Sequence, residues 1–520
     1  LGDVYKRQVH LGGKMNPNAK IPKGMSFEDN SYTRLLKENL NIQVVYDWTA
    51  STSDYDEKMS LCIGSNTIPE IMNVNATQYR ALLKYDMIQP LDKYFDDYAS
   101  DALKSYVKSG GEELQKCITN EDGELMAIPA PNLTAGGVNE MWIRQDWLDA
   151  LGLDVPRTWD ELAEVAKAFV TRDPDGNGEN DTIGILGPGN SDHMNAVGGN
   201  QFGLDPLFSC FQSYPQYWLK SEDGSVEYGS IQPETKTALE NISKLYADGV
   251  IDPETLVRSD SKEPLLAGKV GIFFGPWWCA YTFADTTLSG SADWRAYFTP
   301  LSEDGKYYTH MAEPTTQYVV ASKDCKNPEA AFKIINYIVA NEQKWVEEGV
   351  TSTEMGTGDF YPLYNTYDNA DEIEKSYEAL TKYLAGDISM DDVDFSTHKL
   401  LKNDMEAVTK LKKKPYDDFS LKYWNLDSDL AKTNLPRLVA IMVGDAPLVN
   451  EEYVPVYNAY NGQTETMEAK WANLKKMEEE TFAKIIMGKA DISEFDTFVK
   501  NWKNQGGDQI LKEINDELSK

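Results

Sequence analysis

From Trp142 to Gly184 the chain carries one continuous pattern, two helices and a loop of alternating oxygen donors, that few folds can accommodate. Arg144 to Leu151 reads as a helix, and Gly152 ends it because a residue without Cβ takes the left-handed conformation at little cost. Pro156 resets the chain. Thr158 then caps a second helix, with Glu161 three residues on to reach back to the cap's amide. Leu162, Val165, Ala166, Phe169 and Val170 recur at helical spacing and give that helix one buried face.

The loop that follows offers oxygen at every second position: Asp173, Asp175, Asn177, the backbone carbonyl of Glu179, and Asp181, with Gly178 where such a loop turns sharply. A hard cation takes about six to eight oxygens, and alternate residues of a tight loop converge on one point where those of a helix or strand cannot. The pattern therefore predicts a structural Ca2+ site. The twelfth position, a bidentate Glu in an EF-hand, is Gly184 here, so two oxygens must come from elsewhere or from water. The competing reading is an acidic surface turn that holds no ion. A single loop without a partner loop points to a staple rather than a switch.

At 520 residues the chain exceeds what one hydrophobic core usually serves, so two or more lobes are expected. The balance of 50 basic to 84 acidic residues, a net charge of −34, repels phosphate backbones and anionic lipid, which argues against nucleic acid as a partner. Cys62, Cys117, Cys210, Cys279 and Cys325 lie far apart and form no CxxC pair, so they read as buried free thiols rather than a disulfide framework or zinc site. No apolar run reaches the ~20 residues of a membrane helix. Residues 1–8 resemble neither an export signal nor a natural start, and read as a non-native leader in place of a lost export signal.

Strands are expected at Val9–Leu11, Ile42–Tyr46 and Ile68–Met72, with a helix at Tyr55–Ile63 between the last two. A hairpin at Gly123–Pro129 closes this first α/β lobe near residue 130. The pattern restarts at Val138–Arg144 and includes the glycine-bounded apolar strand Lys269–Gly275, which ends at Pro276-Trp277-Trp278. Ligands of open α/β sheets meet the chain just past strand ends. Tyr318–Ala321 is a further strand, Asn327-Pro328-Glu329 opens a helix, and the C-terminal part is helical through Trp471, Ile485, Phe498 and Trp502.

Four segments together resemble the extracellular solute-binding proteins of family 1, the carbohydrate-importer class that includes alginate- and maltodextrin-binding proteins, in its large Gram-positive lipoprotein branch. They are Asp56 through Ile71, the helix pair with its loop, Asn327 to Ala331, and Phe495 to Glu513 with Trp502 and Gly506-Gly507-Asp508. Each motif alone is weak, and their order and spacing carry the likeness. The resemblance implies an α/β, two-lobed periplasmic-binding-protein-like fold of type II, with a ligand cleft between lobes of 9–130 plus 316–350 and 136–310 plus 351–520. Crossovers are expected near Pro129–Gly136 and Met311–Thr316, and the loop at 173–181 resembles the family's calcium loop. It further implies a monomeric cell-surface lipoprotein, anchored outside the cytoplasmic membrane, that hands an oligosaccharide to an ABC permease.

Sugar rings show apolar C–H faces beside a rim of hydroxyls, so a sugar site wants flat aromatic platforms and planar hydrogen-bonding groups. Trp277 and Trp278 are the leading platform, because Gly275-Pro276-Trp277 resembles a ligand-stacking segment of maltodextrin binders. Asn73 and Asn75 follow the third strand and are polar-contact candidates against a plain turn role. Tyr214, Trp48 and Trp142 complete the ligand candidates, each with core burial as its alternative.

Two other functions compete. A binder of peptide or another small solute would use the same scaffold, since fold does not fix ligand. A secreted polysaccharide-acting enzyme needs only two carboxylates, and none of the 84 acids is marked by its context. There is no GxSxG elbow, Gly268-Lys269-Val270 lacks the phosphate-loop glycine and hydroxyl, and four histidines are too few for a His-rich metal centre. A non-enzymatic binder is therefore expected.

Overall fold

In the computed structural model, residues 7–190, 199–289, 292–348, 360–363, 367–395, 398, 400–411 and 424–519 are described. The chain divides into two compact units: residues up to Leu133 with Pro314–Asp371, and Thr134–Glu313 with Glu372 onward.

The first unit is built on strands β1 (Arg7–Met15), β2 (Ile42–Ser51), β3 (Ile71–Val74), β4 (Ile128–Pro131) and, later in the chain, β12 (Thr315–Ala321). Their order is β2-β1-β3-β12-β4, with β1 parallel to β2 and β3, and β12 antiparallel to β3 and β4. Val9 and Leu11 alternate into the core, as a strand's two-residue period requires. At Gly12 the register with β2 shifts, and the indole of Trp48 fills the space a side chain would take: a Cβ there would lie 2.5 Å from the ring.

Three sequence expectations move in this unit. Arg7 and Gln8, assigned to the leader, are the first rungs of β1 opposite Ile42 and Gln43, and Arg7 forms an ion pair with Glu329. The third strand starts at Ile71 rather than Ile68, because Pro69 has no N–H to give to a ladder. The unit also reaches Asp371 rather than stopping at 350: Phe360, Tyr361, Leu363 and Tyr367 are buried in its core, with Tyr361 edge-on to Tyr32 at 4.5 Å. Spaced aromatics in a turn-rich stretch gave no periodic signal, and the expectation for 351–359 lies outside the described residues.

The second unit carries β5 (Glu140–Arg144), β6 (Ile183–Leu186), β7 (Trp218–Lys220), β8 (Val226–Tyr228), β9 (Val270–Gly275), β10 (Trp294–Tyr297), β11 (Tyr307–His310) and β13 (Tyr453–Val456). The main sheet runs β10-β5-β9-β6, and β7-β8 and β11-β13 are two-stranded. The helix Trp159–Thr171 forms as expected: Thr158 and Glu161 make a reciprocal capping box, while Leu162, Val165, Ala166 and Phe169 are buried. Gly152 ends the preceding helix at φ +64°. The C-terminal helices Glu465–Ile486, Glu494–Trp502 and Asp508–Leu518 join the same core, bringing Phe482, Phe498, Trp502 and Ile510 against residues such as Tyr228 and Leu239.

Candidate functional site

The oxygen-donor loop folds back on itself between the helix Trp159–Thr171 and β6. Asp173, at φ +47°, accepts hydrogen bonds from the amides of Asn177 (3.1 Å) and Gly178 (3.0 Å). The Asn177 side-chain NH2 donates to both Asp175 (2.9 Å) and Asp181 (3.2 Å), so these carboxylates face one point. Their mutual repulsion is relieved by those N–H donors and by the Lys269 ammonium, 2.7 Å from Asp181. That hydrogen bond holds the Asp181 carboxyl below its ordinary range, whereas desolvation and neighbouring Asp173 raise that of Asp175. The twelfth position is closed to a carboxylate for a packing reason. Gly184 lies inside β6, and a Cβ there would sit 2.6 Å from the carbonyl of Val250 and 2.7 Å from that of Ala166. Among the described residues no three His, Cys, Asp or Glu side chains stand grouped closely enough to make a metal centre by themselves. The donor chemistry nevertheless fits a hard cation, provided the Asn177 and Glu179 oxygens and water contribute.

Past the end of β9, Pro276 leads into a short 3-10 turn, Trp277–Cys279. Trp277 is buried and Trp278 half-buried. Gly444 gives Trp277 its room: a Cβ at 444 would lie 2.7 Å from the Trp277 carbonyl and 2.9 Å from the Trp142 ring. Trp142, a ligand candidate with core burial as its equal alternative, takes the core role: it is fully enclosed in this unit, 6.3 Å from Phe273 and 5.1 Å from Phe283 between ring centres. A central strand buried on both faces leaves its odd and even side chains equally enclosed, so β5 displays no outward position. Tyr214 is buried, edge-on to the buried His310 ring at 5.2 Å.

In the first unit, Trp48 and Asn73 share a neighbour. Tyr55 lies 5.3 Å from the Trp48 ring and donates its hydroxyl hydrogen to the Asn73 carbonyl at 3.0 Å. Asn75 is the N-cap of the helix Ala76–Lys84, its side chain accepting from the Gln78 amide, so its side-chain oxygen is engaged as the turn reading required.

The second unit also holds buried polar groups that sequence reading missed. Glu140 opens β5 opposite Gly275, and Asp445 follows Gly444; both are 0% exposed, and none of their four carboxyl oxygens has a hydrogen-bond partner among the described residues. Burial, then the field of Asp445, raises the Glu140 carboxyl well above its usual range, and burial followed by Glu374 does the same to Asp445. His310 lies 4.0 Å from the buried Asp205, and burial pushes its pKa down to about 3. Two acids among 84 give no sequence signal, because only three-dimensional enclosure distinguishes them.

The family profile described as bacterial extracellular solute-binding protein matches residues 19–345, more than half of the chain. The chain is a bacterial extracellular solute-binding protein. The fructooligosaccharide ABC transporter substrate-binding protein FusA of Streptococcus pneumoniae serotype 4 is 30% identical to this solute-binding protein over 46% of the chain and 45% of FusA, less than half of that relative. The polygalacturonan/rhamnogalacturonan-binding protein YtcQ of Bacillus subtilis is 23% identical over 97% of the chain and 93% of its own length. Among solved structures, an HMO-binding solute-binding protein of Bifidobacterium longum infantis covers 99% of the chain, and the chain 98% of it, at TM-score 0.60 and 18% identity. A FusA EF-hand mutant in complex with fructo-nystose covers 99% of each chain at TM-score 0.54 and 18% identity. These likenesses establish the fold class as α/β, of the two-lobed solute-binding type.

Proposed function

We propose that this solute-binding protein is the substrate-capturing component of an ABC importer, taking up an oligosaccharide outside the cell and delivering it to the permease as a monomeric, lipid-anchored receptor without catalytic activity. The observation that carries the reading is the family match across residues 19–345, supported by relatives whose names record binding of saccharides. Those relatives span uncharged fructooligosaccharide and acidic polygalacturonan, so the family leaves the charge of the ligand open. Trp277 and Trp278 remain the proposed aromatic contacts in the second unit, with Trp48, Asn73 and Asn75 in the first and Tyr214 beside His310. A thermal-shift screen of oligosaccharides against short peptides tests the ligand class. A glycan at a hundred times its Kd is expected to add about 2.7 kcal/mol to stability. A shift with peptides alone would transfer the receptor to another solute, and cleavage of a glycan during the assay would make it an enzyme.

Calcium belongs to the same proposal as a structural staple. Asp173, Asp175, Asn177, the Glu179 carbonyl and Asp181 would hold the ion, which neutralises carboxylates that now rely on N–H donors and Lys269. Millimolar CaCl2 is expected to raise the melting temperature relative to EGTA, and Asp173→Ala to abolish the difference. Equal melting temperatures in CaCl2 and EGTA would reduce the loop to an acidic turn.

A further inference from the structure

The oxygen-donor loop at 173–181 carries a cation of its own. Asp173, Asp175, Glu179 and Asp181 bring their carboxylates together within one short turn, and like charges repel more strongly the closer they stand. Among the described residues a single cationic side chain forms an ion pair with them: the Lys269 ammonium donates to Asp181 Oδ2 at 2.7 Å. Asp175 and Glu179 draw on the same positive charge after Asp181 does. The other carboxyl oxygen of Asp181 accepts from the Asn177 side-chain NH2 at 3.2 Å, so both oxygens are engaged.

The backbone places this ammonium. The Lys269 amide donates to the Pro264 carbonyl at 3.1 Å, and its carbonyl accepts from the amide of Ile183, two residues beyond Asp181, at 2.8 Å. From there β6 and β9 run on as a parallel ladder, with Ile183 opposite Val270. The last acid of the loop and the lysine therefore start from fixed neighbouring points, and the lysine stem supplies the reach. A charged group tethered in this way acts at an effective concentration of the order of millimolar, whatever ions the solution holds.

A hard cation in the loop needs the same carboxylate. Resting on the calcium-staple reading above, we propose that Lys269 is a tethered competitor of calcium, an ammonium that neutralises Asp181 when the ion is scarce and opposes the ion when it binds. Calcium must either displace the ammonium from Asp181 or accept a positive charge beside it, and both routes cost affinity. The same contact lets the loop keep its fold when calcium is withdrawn, because one of its carboxylates is already paired. Lys269 thus sets how much calcium the loop requires and how far stability depends on it.

Calorimetric titration of the full chain with CaCl2 tests the competition, with melting temperatures in CaCl2 and in EGTA as a second readout. Lys269→Met and Lys269→Gln keep the backbone anchor and remove the charge. Each is expected to bind calcium at least tenfold more tightly than the parent. At one saturating calcium concentration that tenfold equals about 1.4 kcal/mol of added stability, so the melting gap between CaCl2 and EGTA widens. Arg172, exposed next to Asp173, has no ion pair among the described residues, and Arg172→Ala is expected to change the affinity by less than about threefold. Parent affinity in both Lys269 variants overturns the competition and leaves the calcium staple standing. An equal gain in Arg172→Ala also overturns it, since any nearby cation would then serve. Calcium binding by neither the parent nor the Lys269 variants removes the staple and this inference with it.

Discussion

Trp502→Ala is expected to destabilise the second unit by about 3–5 kcal/mol, the range for deleting a fully buried large aromatic side chain. Trp502 is 0% exposed and stacks on Tyr228 with ring centres 4.9 Å apart at 10°. Tyr228 in turn meets Trp218 at 4.6 Å and Trp471 at 5.4 Å, so one ring supports an aromatic chain that links the β7-β8 hairpin to the C-terminal helices. The backbone cannot close the resulting hole. Gly507 already packs against the ring, where a Cβ would lie 2.1 Å from Cε3, and the turn through Gly506 at φ +137° fixes the next helix in place. Urea unfolding followed by the near-ultraviolet signal of the second unit measures the effect. A loss below about 1 kcal/mol would mean that the helices after residue 464 are dispensable to this core.

The second large effect is a pH dependence carried by Glu478. This residue is 1% exposed within the helix Glu465–Ile486 and accepts hydrogen bonds from the hydroxyls of Tyr228 and Ser230, both at 2.8 Å. Burial outweighs these hydrogen bonds and raises its pKa from 4.5 to about 7. A group whose folded pKa is raised stabilises the fold fully below its unfolded value and loses that contribution as pH rises through the folded value. The window here is therefore pH 4.5 to about 7. At about 1.4 kcal/mol per pH unit, the total is of order 3 kcal/mol. Glu478→Gln carries no charge at any pH and keeps an acceptor oxygen for Tyr228 or Ser230. It is expected to match the parent at pH 4.5 and to exceed it increasingly up to pH 8. Parallel stability curves for parent and variant across that range would show that Glu478 ionises without consequence for folding.

Trp502 and Glu478 also mark the boundary of sequence reading. The tryptophan belongs to a segment with apolar residues at helical spacing, and its burial follows from that pattern. The glutamate stands among Glu479, Glu480 and several lysines, and reads as one more residue of a solvated face. Only the approach of β8 and the following turn encloses it. The tryptophan candidates show the same division. The segment at Trp277 was legible because Gly-Pro-Trp follows a glycine-bounded apolar strand, yet whether a given ring faces solvent depends on what crosses it, and Gly444 crosses Trp277 from 167 residues away in sequence. The place of Trp142 near a crossover left ligand surface and core equally open in sequence, and only its strand's central position in the sheet decides for the core.

What the sequence determined by itself are features fixed by neighbours along the chain: the capping box of Thr158 and Glu161, the left-handed stop at Gly152, the turn of the oxygen-donor loop, and the amphipathic faces of the helices. Backbone sterics and hydrogen bonds over three or four residues decide these, so spacing suffices. The return of residues 360–367 to the first unit, and the enclosure of Glu140 with Asp445, come from tertiary structure alone. Burial is a property of the atoms that surround a side chain, and in both cases those atoms come from parts of the chain hundreds of residues apart.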